Sequence, residues 1–262
     1  MIIILLTDFG TKDTYVGVMK GVIKGIAPDV DIIDLTHHIP PQDIAAAGDA
    51  LASAYRYFPP GTVHLAVVDP GVGTSRRAVA ARVGACVYVC PDNGLLSPLL
   101  AQETVHEAVI LDNSQFHRHP VSRTFQGRDV FAPAAAHLAR GVPLGSLGTP
   151  LDTLTTYPLS APHVVGDTLT CHAVSVDTFG NVITDLSEDT YRQWMPDGAR
   201  VTASGRIISH VSATYADALP GQLLALFGSS GRLEIAVRGG HARDAIGLQI
   251  GDSVTLTRRT SP

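Results

Sequence analysis

Residues 63–77, VHLAVVDPGVGTSRR, join a short apolar run to an abrupt break in its pattern. The run is rich in β-branched residues and ends on Asp69, and the Pro and Gly that follow predict a buried strand that stops at a tight loop. The loop sets a carboxylate at the carboxyl end of the strand and then brings in the guanidinium of Arg76. In an open α/β sheet this edge is where ligands bind. Taken alone, the motif also fits a surface turn with a solvated Asp.

Two further apolar runs end in the same way, with TDFG at residues 7–10 and PDNG at residues 91–94. If the strands are parallel, Asp8, Asp69 and Asp92 converge on one crevice at the edge of the sheet. A glycine beside each acid allows positive φ or a close approach of the backbone to a ligand.

Strand-like and helix-like segments alternate through the N-terminal part of the chain. Predicted strands cover residues 1–6, 31–35, 63–68 and 85–90, and predicted helices cover residues 16–26, 43–57 and 129–140. Asp13 or Thr14 can cap the first helix, and Gly141 stands at the C-cap of the last. The alternation implies a parallel sheet with helices packed on it, a Rossmann-like α/β domain over residues 1–141.

The composition changes after Gly141. Residues 142–162 are rich in Pro and Gly and predict a linker. Beyond them the helical periodicity disappears, and short runs of β-forming residues alternate with Gly, Ser and Asp. Residues 163–262 therefore predict a small antiparallel β-barrel or sandwich domain.

The overall composition excludes several classes of protein. With 262 residues, 45% hydrophobic and 16% charged, the chain is globular rather than disordered. A net charge of −5 without a basic run argues against nucleic acid as a partner. The sequence has no apolar stretch of about 20 residues, so no membrane span is predicted. The N-terminus lacks the basic region of a signal peptide. Three cysteines without metal-like spacing favour a reducing compartment, so we expect a cytoplasmic protein.

A set of motifs in a fixed order makes a family recognisable. They are TDFG (7–10), YVGVMKG (15–21), PGTVHLAVVDPGVGTSRR (60–77), PDNGLL (91–96), TFQGRD (124–129), DTFGNVITD (177–185) and GSSGRLEIAVRGG (228–240). Together they closely resemble the adenosine-forming S-adenosyl-L-methionine (SAM) hydrolases, also called SAM hydroxide adenosyltransferases, which are related to fluorinase and chlorinase. The resemblance covers essentially the whole chain.

The resemblance implies a specific reaction. Water attacks the ribose 5′ carbon of SAM in line, L-methionine leaves and adenosine is released. No cofactor or metal is implied, because the sulfonium is already an excellent leaving group. In relatives two subunits of a homotrimer enclose the ligand, so the resemblance also implies a trimer with an inter-subunit active site.

The family assigns an Asp, an Arg and a His to the attacking water. Asp69 and Arg76 match the first two positions, but Gln126 stands where the family has the histidine. An amide can hold a water by hydrogen bonds but cannot take up a proton near neutral pH. The resemblance therefore predicts that Asp69 orients the water and Arg76 fixes Asp69, with slower proton handling than in relatives that carry the histidine.

The substrate-binding residues carry over from matching motif positions. On the ribose side, Asp8 resembles the acceptor for the hydroxyls, and the neighbouring loop that contacts ligand contains Asp13, Thr14 and Tyr15. For the rest of SAM, the resemblance assigns the methionine ammonium to Asp177, adenine to Phe179 and Asn181, the methionine carboxylate to Ser229 and Ser230, and an adenosine-side strand to Glu234 and Val237. Fluorinase-type relatives have an arginine at the position of Ser230, so the carboxylate grip is expected to be weaker here or made by backbone N–H groups.

Three alternative functions remain. The first is a halogenase. The halide-using relatives have a neutral aromatic residue at the position of Asp69. A carboxylate there would repel a halide by about 4 kcal/mol at roughly 4 Å and an effective dielectric near 20, so halogenation is disfavoured. A non-catalytic protein that binds adenosine or SAM would keep the ribose and adenine residues, and Gln126 favours this alternative. A methyltransferase is disfavoured because no G-x-G-x-x-G turn follows the first strand.

Two pairs of histidines have plainer interpretations. His37 and His38 could suggest a metal pair, but adjacent residues on an extended chain point apart. His117 and His119 lie just upstream of Gln126 and could replace the family histidine, but we expect them to be loop residues.

Overall fold

The computed structural model describes residues 1–258, and residues 259–262, the end of the predicted β domain, lie outside them. The chain forms two compact units, Met1–Leu159 and a second unit that begins at Ser160. Within the described residues, no helix is both long and apolar enough to cross a membrane.

The first unit is built on a six-stranded sheet with the strand order β2-β1-β3-β5-β4-β6. Its strands are β1 (Ile2–Thr7), β2 (Asp31–Thr36), β3 (Val63–Val67), β4 (Ala78–Val83), β5 (Cys86–Pro91) and β6 (Val105–Ile110). Strands β2, β1, β3 and β5 are parallel, as predicted, but β4 runs antiparallel to both β5 and β6. The prediction of a purely parallel sheet is therefore corrected to a mixed sheet. Only Gly84 and Ala85 separate β4 from β5, and so short a connection joins antiparallel strands.

Helices cover both faces of this sheet. They are α1 (Tyr15–Ile26), α2 (Ile44–Ala54), α3 (Ser97–Leu100) and α4 (Ala132–Ala139). Met19 of α1 packs with Leu5 in one core, whereas Leu51 of α2 packs with Leu6 in the other. Successive residues of β1 thus point to opposite faces, as the geometry of a strand requires.

The three predicted helices are present and differ from the observed ones at their ends, whereas α3 was not predicted. Asp43 caps α2 by accepting a hydrogen bond from the backbone of Ala46, but Thr14 holds the N-cap of α1 without a side-chain bond. The predicted helix over residues 43–57 tightens into a 3₁₀ turn at Tyr55–Tyr57. The last predicted helix begins earlier, with a π-helical turn at Gly127–Phe131 that leads into α4.

The second unit is a strongly curved β-sheet. Its strands are β7 (His163–Val165), β8 (Thr168–Val176), β9 (Val182–Ser187), β10 (Ala199–Ala203), β11 (Arg206–Ile208), β12 (Val211–Ser212), β13 (Leu223–Phe227), β14 (Arg232–Val237) and β15 (Ser253–Arg258), with helices α5 (Glu188–Trp194) and α6 (Ala242–Ile246). The order is β11-β10-β15-β8-β9-β14-β13-β12, and β7 pairs with β8. All these pairs are antiparallel except β12 with β13. Strands from the two ends come into contact, so the sheet is nearly closed and barrel-like.

The Pro- and Gly-rich segment after α4 packs on the first unit. Leu144 and Leu147 lie in a short 3₁₀ turn and are buried in the core that contains α1 and α4. Further along, Thr155 donates a backbone hydrogen bond to the carboxylate of Asp92.

Candidate functional site

Two of the acids singled out in the sequence leave the first unit at the same edge of its sheet. Strands β1 and β3 are parallel neighbours, and Thr7 pairs with Val67 in their register. Asp8 follows directly after β1, and Asp69 lies just beyond β3. Because paired strands lie about 4.8 Å apart, the two loops begin side by side.

Asp69 and Arg76 form a bidentate ion pair. Arg76 Nε donates to Asp69 Oδ1 at 2.8 Å, and Arg76 Nη2 donates to Oδ2. The side chains are only 10% exposed for Arg76 and 6% for Asp69. The loop between them needs a glycine at position 73, where φ is +80° and a Cβ would come within 2.8 Å of the Arg123 carbonyl oxygen. The turn is therefore shaped by the chain segment that leads to Gln126.

Gln126 completes this cluster. The same Nη2 atom of Arg76 donates to Gln126 Oε1 at 2.6 Å, and the guanidinium lies 5.1 Å from the centre of the Phe131 ring. We call Asp69, Arg76 and Gln126 the Arg76 cluster. The structure thus brings together the residues that the sequence assigns to the attacking water.

A buried carboxylate anchors the segment that carries Gln126. Asp129 is fully buried and accepts hydrogen bonds from Arg128, Arg118 and the backbone of Ser122. Burial alone would raise the pKa of Asp129, but the donors, Arg128 foremost, bring this pKa below its ordinary value. The ionised carboxylate holds the segment in place.

An aromatic cluster joins the Asp8 loop to the Gln126 segment. The ring of Tyr15 lies 5.6 Å from that of Phe9 and 5.2 Å from that of Phe125. Asp8 itself is half-buried and accepts a 2.8 Å hydrogen bond from the backbone of Gln42. The other predicted residues of this loop, Asp13 and Thr14, are exposed, as is Tyr15. Phe9 and Phe125 were not predicted as site residues, although both lie inside the quoted motifs.

A buried histidine, His37, forms hydrogen bonds with residues on both sides of Asp8. Thr7 Oγ1 and His37 Nδ1 share a 2.8 Å hydrogen bond, and the carbonyl of His37 accepts from the backbone of Gly10 at 2.7 Å. His37 is buried whereas His38 is exposed, which confirms that the two side chains point apart. Among the described residues, no group of three or more His, Cys, Asp or Glu could hold a metal ion.

Asp92 plays a different part from Asp8 and Asp69. Its carboxylate is only 2% exposed and accepts hydrogen bonds from Arg77, from the backbone of Thr155 at 2.7 Å and from the Thr155 hydroxyl at 3.0 Å. The β5 strand is parallel to β3 as predicted, but Asp92 is engaged within its own unit. The three acids thus follow parallel neighbouring strands, as expected, but the Asp92 carboxylate also bonds to Thr155, a contact that Asp8 and Asp69 do not share.

The histidines upstream of Gln126 have partners of their own. His117 Nε2 lies 3.1 Å from the Leu111 carbonyl oxygen, and His119 Nε2 lies 2.8 Å from that of Ser114. Within the described residues, no histidine hydrogen-bonds to a member of the Arg76 cluster.

The second unit contains a cleft of about 720 Å³. The sequence-predicted residues that line it are Asp177, Phe179, Asn181, Ser229, Glu234 and Val237. Ser230 lies in the same exposed turn as Ser229 but is not among the lining residues. Phe179 is 75% exposed, so its ring is free to stack on a ligand.

A polar network forms the floor of this cleft. Asp177 Oδ1 accepts from the backbones of Phe179 and Asn181, and Asp177 Oδ2 accepts from Asn181 Nδ2 at 2.8 Å. Tyr215 donates to Glu234 Oε2 at 2.8 Å. Burial raises the pKa of Glu234, and the negative charge of Asp177 adds to this shift whereas the hydrogen bond from Tyr215 opposes it. Burial and the hydrogen bond to Glu234 raise the pKa of Tyr215 to about 12.

Sequence reasoning missed Tyr215 as a site residue. The only local signal is a capping box, in which Thr214 and Asp217 bracket the short turn Tyr215–Asp217. That pattern predicts a turn but no chemistry.

Comparisons with known proteins agree across both units. The family model for the SAM hydroxide adenosyltransferase N-terminal domain matches residues 3–148, and the model for the C-terminal domain matches residues 171–255. The chain is 43% identical over 261 residues to the (R)-S-adenosyl-L-methionine hydrolase of Thermus thermophilus, covering 96% of this chain and 97% of that protein. A crystal structure of an uncharacterized conserved protein from Thermotoga maritima matches with a TM-score of 0.92 and 38% identity, covering 98% of this chain and all of the other. The fluorinase of Nocardia brasiliensis is 29% identical over 288 residues, covering 97% of this chain and 96% of that enzyme.

Proposed function

The chain belongs to the SAM hydroxide adenosyltransferase family, and on this basis we propose that it hydrolyses SAM to adenosine and L-methionine. The observation that carries the proposal is the Arg76 cluster, a buried Asp–Arg pair at the carboxyl ends of parallel strands. Together with the family match over both units, it supports an enzyme rather than a binding protein.

In the proposed reaction, a water oxygen forms a bond to the ribose 5′ carbon as the bond from that carbon to sulfur breaks. The electron pair of the broken bond stays on sulfur, so the sulfonium becomes the neutral thioether of methionine. The attacking oxygen loses one proton, and the reaction releases adenosine, methionine and H⁺. The protein has no covalent step to perform, and its contribution is to position the water opposite the leaving group.

Asp69 is suited to orient this water. A carboxylate has more acceptor positions than the two Arg76 contacts use, so it can still accept a hydrogen bond from water. The guanidinium holds both carboxylate oxygens and prevents the side chain from rotating away. As carbon–oxygen bond formation places positive charge on the attacking oxygen, the nearby carboxylate stabilises that charge and accepts the proton.

The remaining contacts follow the positions assigned by the family motifs. Asp8 accepts from the ribose hydroxyls, beside the loop of Asp13, Thr14 and Tyr15. In the second unit, the proposed contacts to adenine and methionine are made by the cleft residues Asp177, Phe179, Asn181, Ser229, Glu234 and Val237 and by Ser230 in the adjoining turn. The proposal includes a cytoplasmic homotrimer whose active site takes residues from two subunits, and it needs no cofactor because the sulfonium activates the carbon.

Water is the nucleophile that this site favours over a halide. Asp69 is proposed to lie beside the attacking group, where the negative charge of its carboxylate would repel chloride or fluoride. The more distant similarity to fluorinase therefore does not extend to halogenation.

The proposal is tested by incubating the purified protein with SAM and quantifying products by liquid chromatography. Equimolar adenosine and L-methionine are expected. S-adenosylhomocysteine would indicate a methyltransferase, and a 5′-halogenated adenosine formed in halide buffer would indicate a halogenase. Tight adenosine binding without turnover would overturn the enzyme assignment in favour of a sensor.

A further inference from the structure

Arg76 determines which way the amide of Gln126 faces. A guanidinium can only donate hydrogen bonds, so the atom of Gln126 that lies 2.6 Å from Arg76 Nη2 must be the acceptor, Oε1. The Nη2 atom carries two hydrogens, one for Asp69 Oδ2 and one for Gln126 Oε1. A flipped amide would set two donors against each other and is excluded on these grounds.

The amide nitrogen of Gln126 consequently lies at the end of the side chain that does not contact Arg76. It carries two hydrogens and no acceptor lone pair. A side chain with this polarity can donate from Nε2 to a water beside the Arg76 cluster, while Oε1 accepts from Arg76. A water there has a lone pair to accept this bond and a hydrogen to donate to Asp69.

We propose that Gln126 holds the attacking water as a fixed hydrogen-bond donor through Nε2, and that position 126 takes no part in proton transfer. The inference rests on the proposed SAM hydrolysis. One lone pair of the water accepts from Gln126, the other attacks carbon, and the released proton passes to Asp69 and then to solvent. A neutral imidazole held by Arg76 through one nitrogen would present the same polarity, one acceptor towards Arg76 and one N–H towards the water. The amide thus makes the same two hydrogen bonds as the neutral imidazole, but it has no group that ionises near neutral pH.

The difference appears in the pH dependence. An imidazolium has two donors, so it loses the acceptor that faces Arg76 and adds a second positive charge beside the guanidinium. An enzyme with histidine at position 126 loses activity as this ring protonates, whereas the wild-type amide does not change. Among charged and titratable groups, Arg76 contacts Gln126 and carries Asp69, and Tyr15 contacts the neighbouring Phe125. Arg123, Arg128 and Asp129 lie within three residues of Gln126 along the chain, and Asp8 lies on the β1–α1 segment that carries Tyr15.

The test is the pH profile of kcat for SAM hydrolysis by the wild type, Gln126→His and Gln126→Leu. The wild type should be flat from about pH 5.5 to about pH 8, and Gln126→His should match it within about threefold at pH 8 but fall tenfold per pH unit below the pKa of the new ring. Gln126→Leu should lower kcat about tenfold at every pH without changing the shape of the profile, because it removes the proposed bond to the water and the acceptor that faces Arg76 but adds no titratable group. Gln102→His is the matched control, since Gln102 Oε1 also accepts from an arginine, Arg56 Nη2 at 3.0 Å, outside the site.

Two results would overturn the inference while leaving the hydrolase assignment intact. A Gln126→His enzyme that exceeds the wild type about 100-fold at pH 8 would make position 126 a site for a general base. A Gln126→Leu enzyme with wild-type kcat would show that the amide does not contact the water. If the wild type forms no adenosine and methionine at any pH, the proposed function fails and the inference with it. Thermal unfolding of each variant establishes that it is folded.

Discussion

The guanidinium of Arg76 holds both carboxylate oxygens of Asp69, across a loop that leaves a parallel strand and turns back at Gly73. Both side chains are nearly buried, and burying such a pair costs solvation free energy that a core of apolar residues would not. The position of this pair at the carboxyl ends of the parallel strands supports the proposed role in positioning the water.

Asp69→Asn is expected to lower kcat for SAM hydrolysis at least 100-fold. The amide keeps the size of the side chain but loses one acceptor oxygen, the bidentate contact to Arg76 and the charge that stabilises the attacking oxygen. The measurement is steady-state kinetics, at a temperature well below the unfolding midpoint of the variant.

Asp92→Asn is the control for this experiment. Asp92 is also a buried acid at a strand end with an arginine partner, Arg77, but it also accepts from the backbone and hydroxyl of Thr155 and forms no hydrogen bond with Gln126. Its substitution should lower the unfolding midpoint while kcat changes less than about threefold. Equal losses of kcat in the two variants would contradict the distinction that the structure draws between them.

The sequence predicts the strands that carry the site because they are buried on both faces. Apolar runs such as residues 63–67 predict a buried strand. In contrast, β4 and β6 carry exposed charged residues, Arg82 and Glu107, that interrupt the apolar pattern. Those strands were missed, and with them the antiparallel part of the sheet. The prediction of barrel-like β-structure in the second unit needed only short alternating runs and turn residues.

Partners that lie far apart along the chain could not be predicted in the same way. Asp92 looks like Asp8 and Asp69 in the sequence, and its difference comes from Thr155, which is 63 residues away. Likewise, the contact between Arg76 and Gln126 spans 50 residues and depends on how two loops pack. Motif similarity singled out these positions, but only the packed structure shows which groups their polar atoms meet.

His37→Ala is expected to raise KM for SAM about tenfold with kcat within about threefold of wild type. The His37 ring bonds to Thr7, directly before Asp8, and the variant loses this bond while the backbone bond from Gly10 to the carbonyl of residue 37 remains, so the start of the loop that is proposed to bind ribose is loosened. The unfolding free energy should fall by about 1–3 kcal/mol, because a buried hydroxyl loses its partner. His37→Gln is a second variant that can restore part of the bond, and the exposed His38→Ala is the control. A loss of kcat with unchanged KM would contradict this role.

Phe179→Ala is expected to weaken adenosine binding about tenfold or more without changing the unfolding midpoint. The side chain is 75% exposed, so it contributes little to folding, and stacking on a base is worth about 1–3 kcal/mol. Isothermal titration calorimetry with adenosine measures the effect. Tyr57→Ala, which removes an aromatic ring of 76% exposure in the first unit, should leave the affinity unchanged. A lower unfolding midpoint with unchanged affinity would assign Phe179 to packing instead.

Glu234→Gln is expected to stabilise the protein at pH 8 and to lose this advantage as the pH falls. The pKa of Glu234 is raised above the ordinary glutamate value of 4.5, chiefly by burial, so the folded state binds a proton more readily than the unfolded chain does. Ionised Glu234 therefore opposes folding above its folded-state pKa, and this opposition disappears below the unfolded value. The variant keeps an oxygen to accept from Tyr215 and has no charge to desolvate. Unfolding midpoints should be compared with those of wild type and of exposed Glu107→Gln from about pH 4 to about pH 8. A constant difference across this range would show that ionisation of Glu234 does not limit stability.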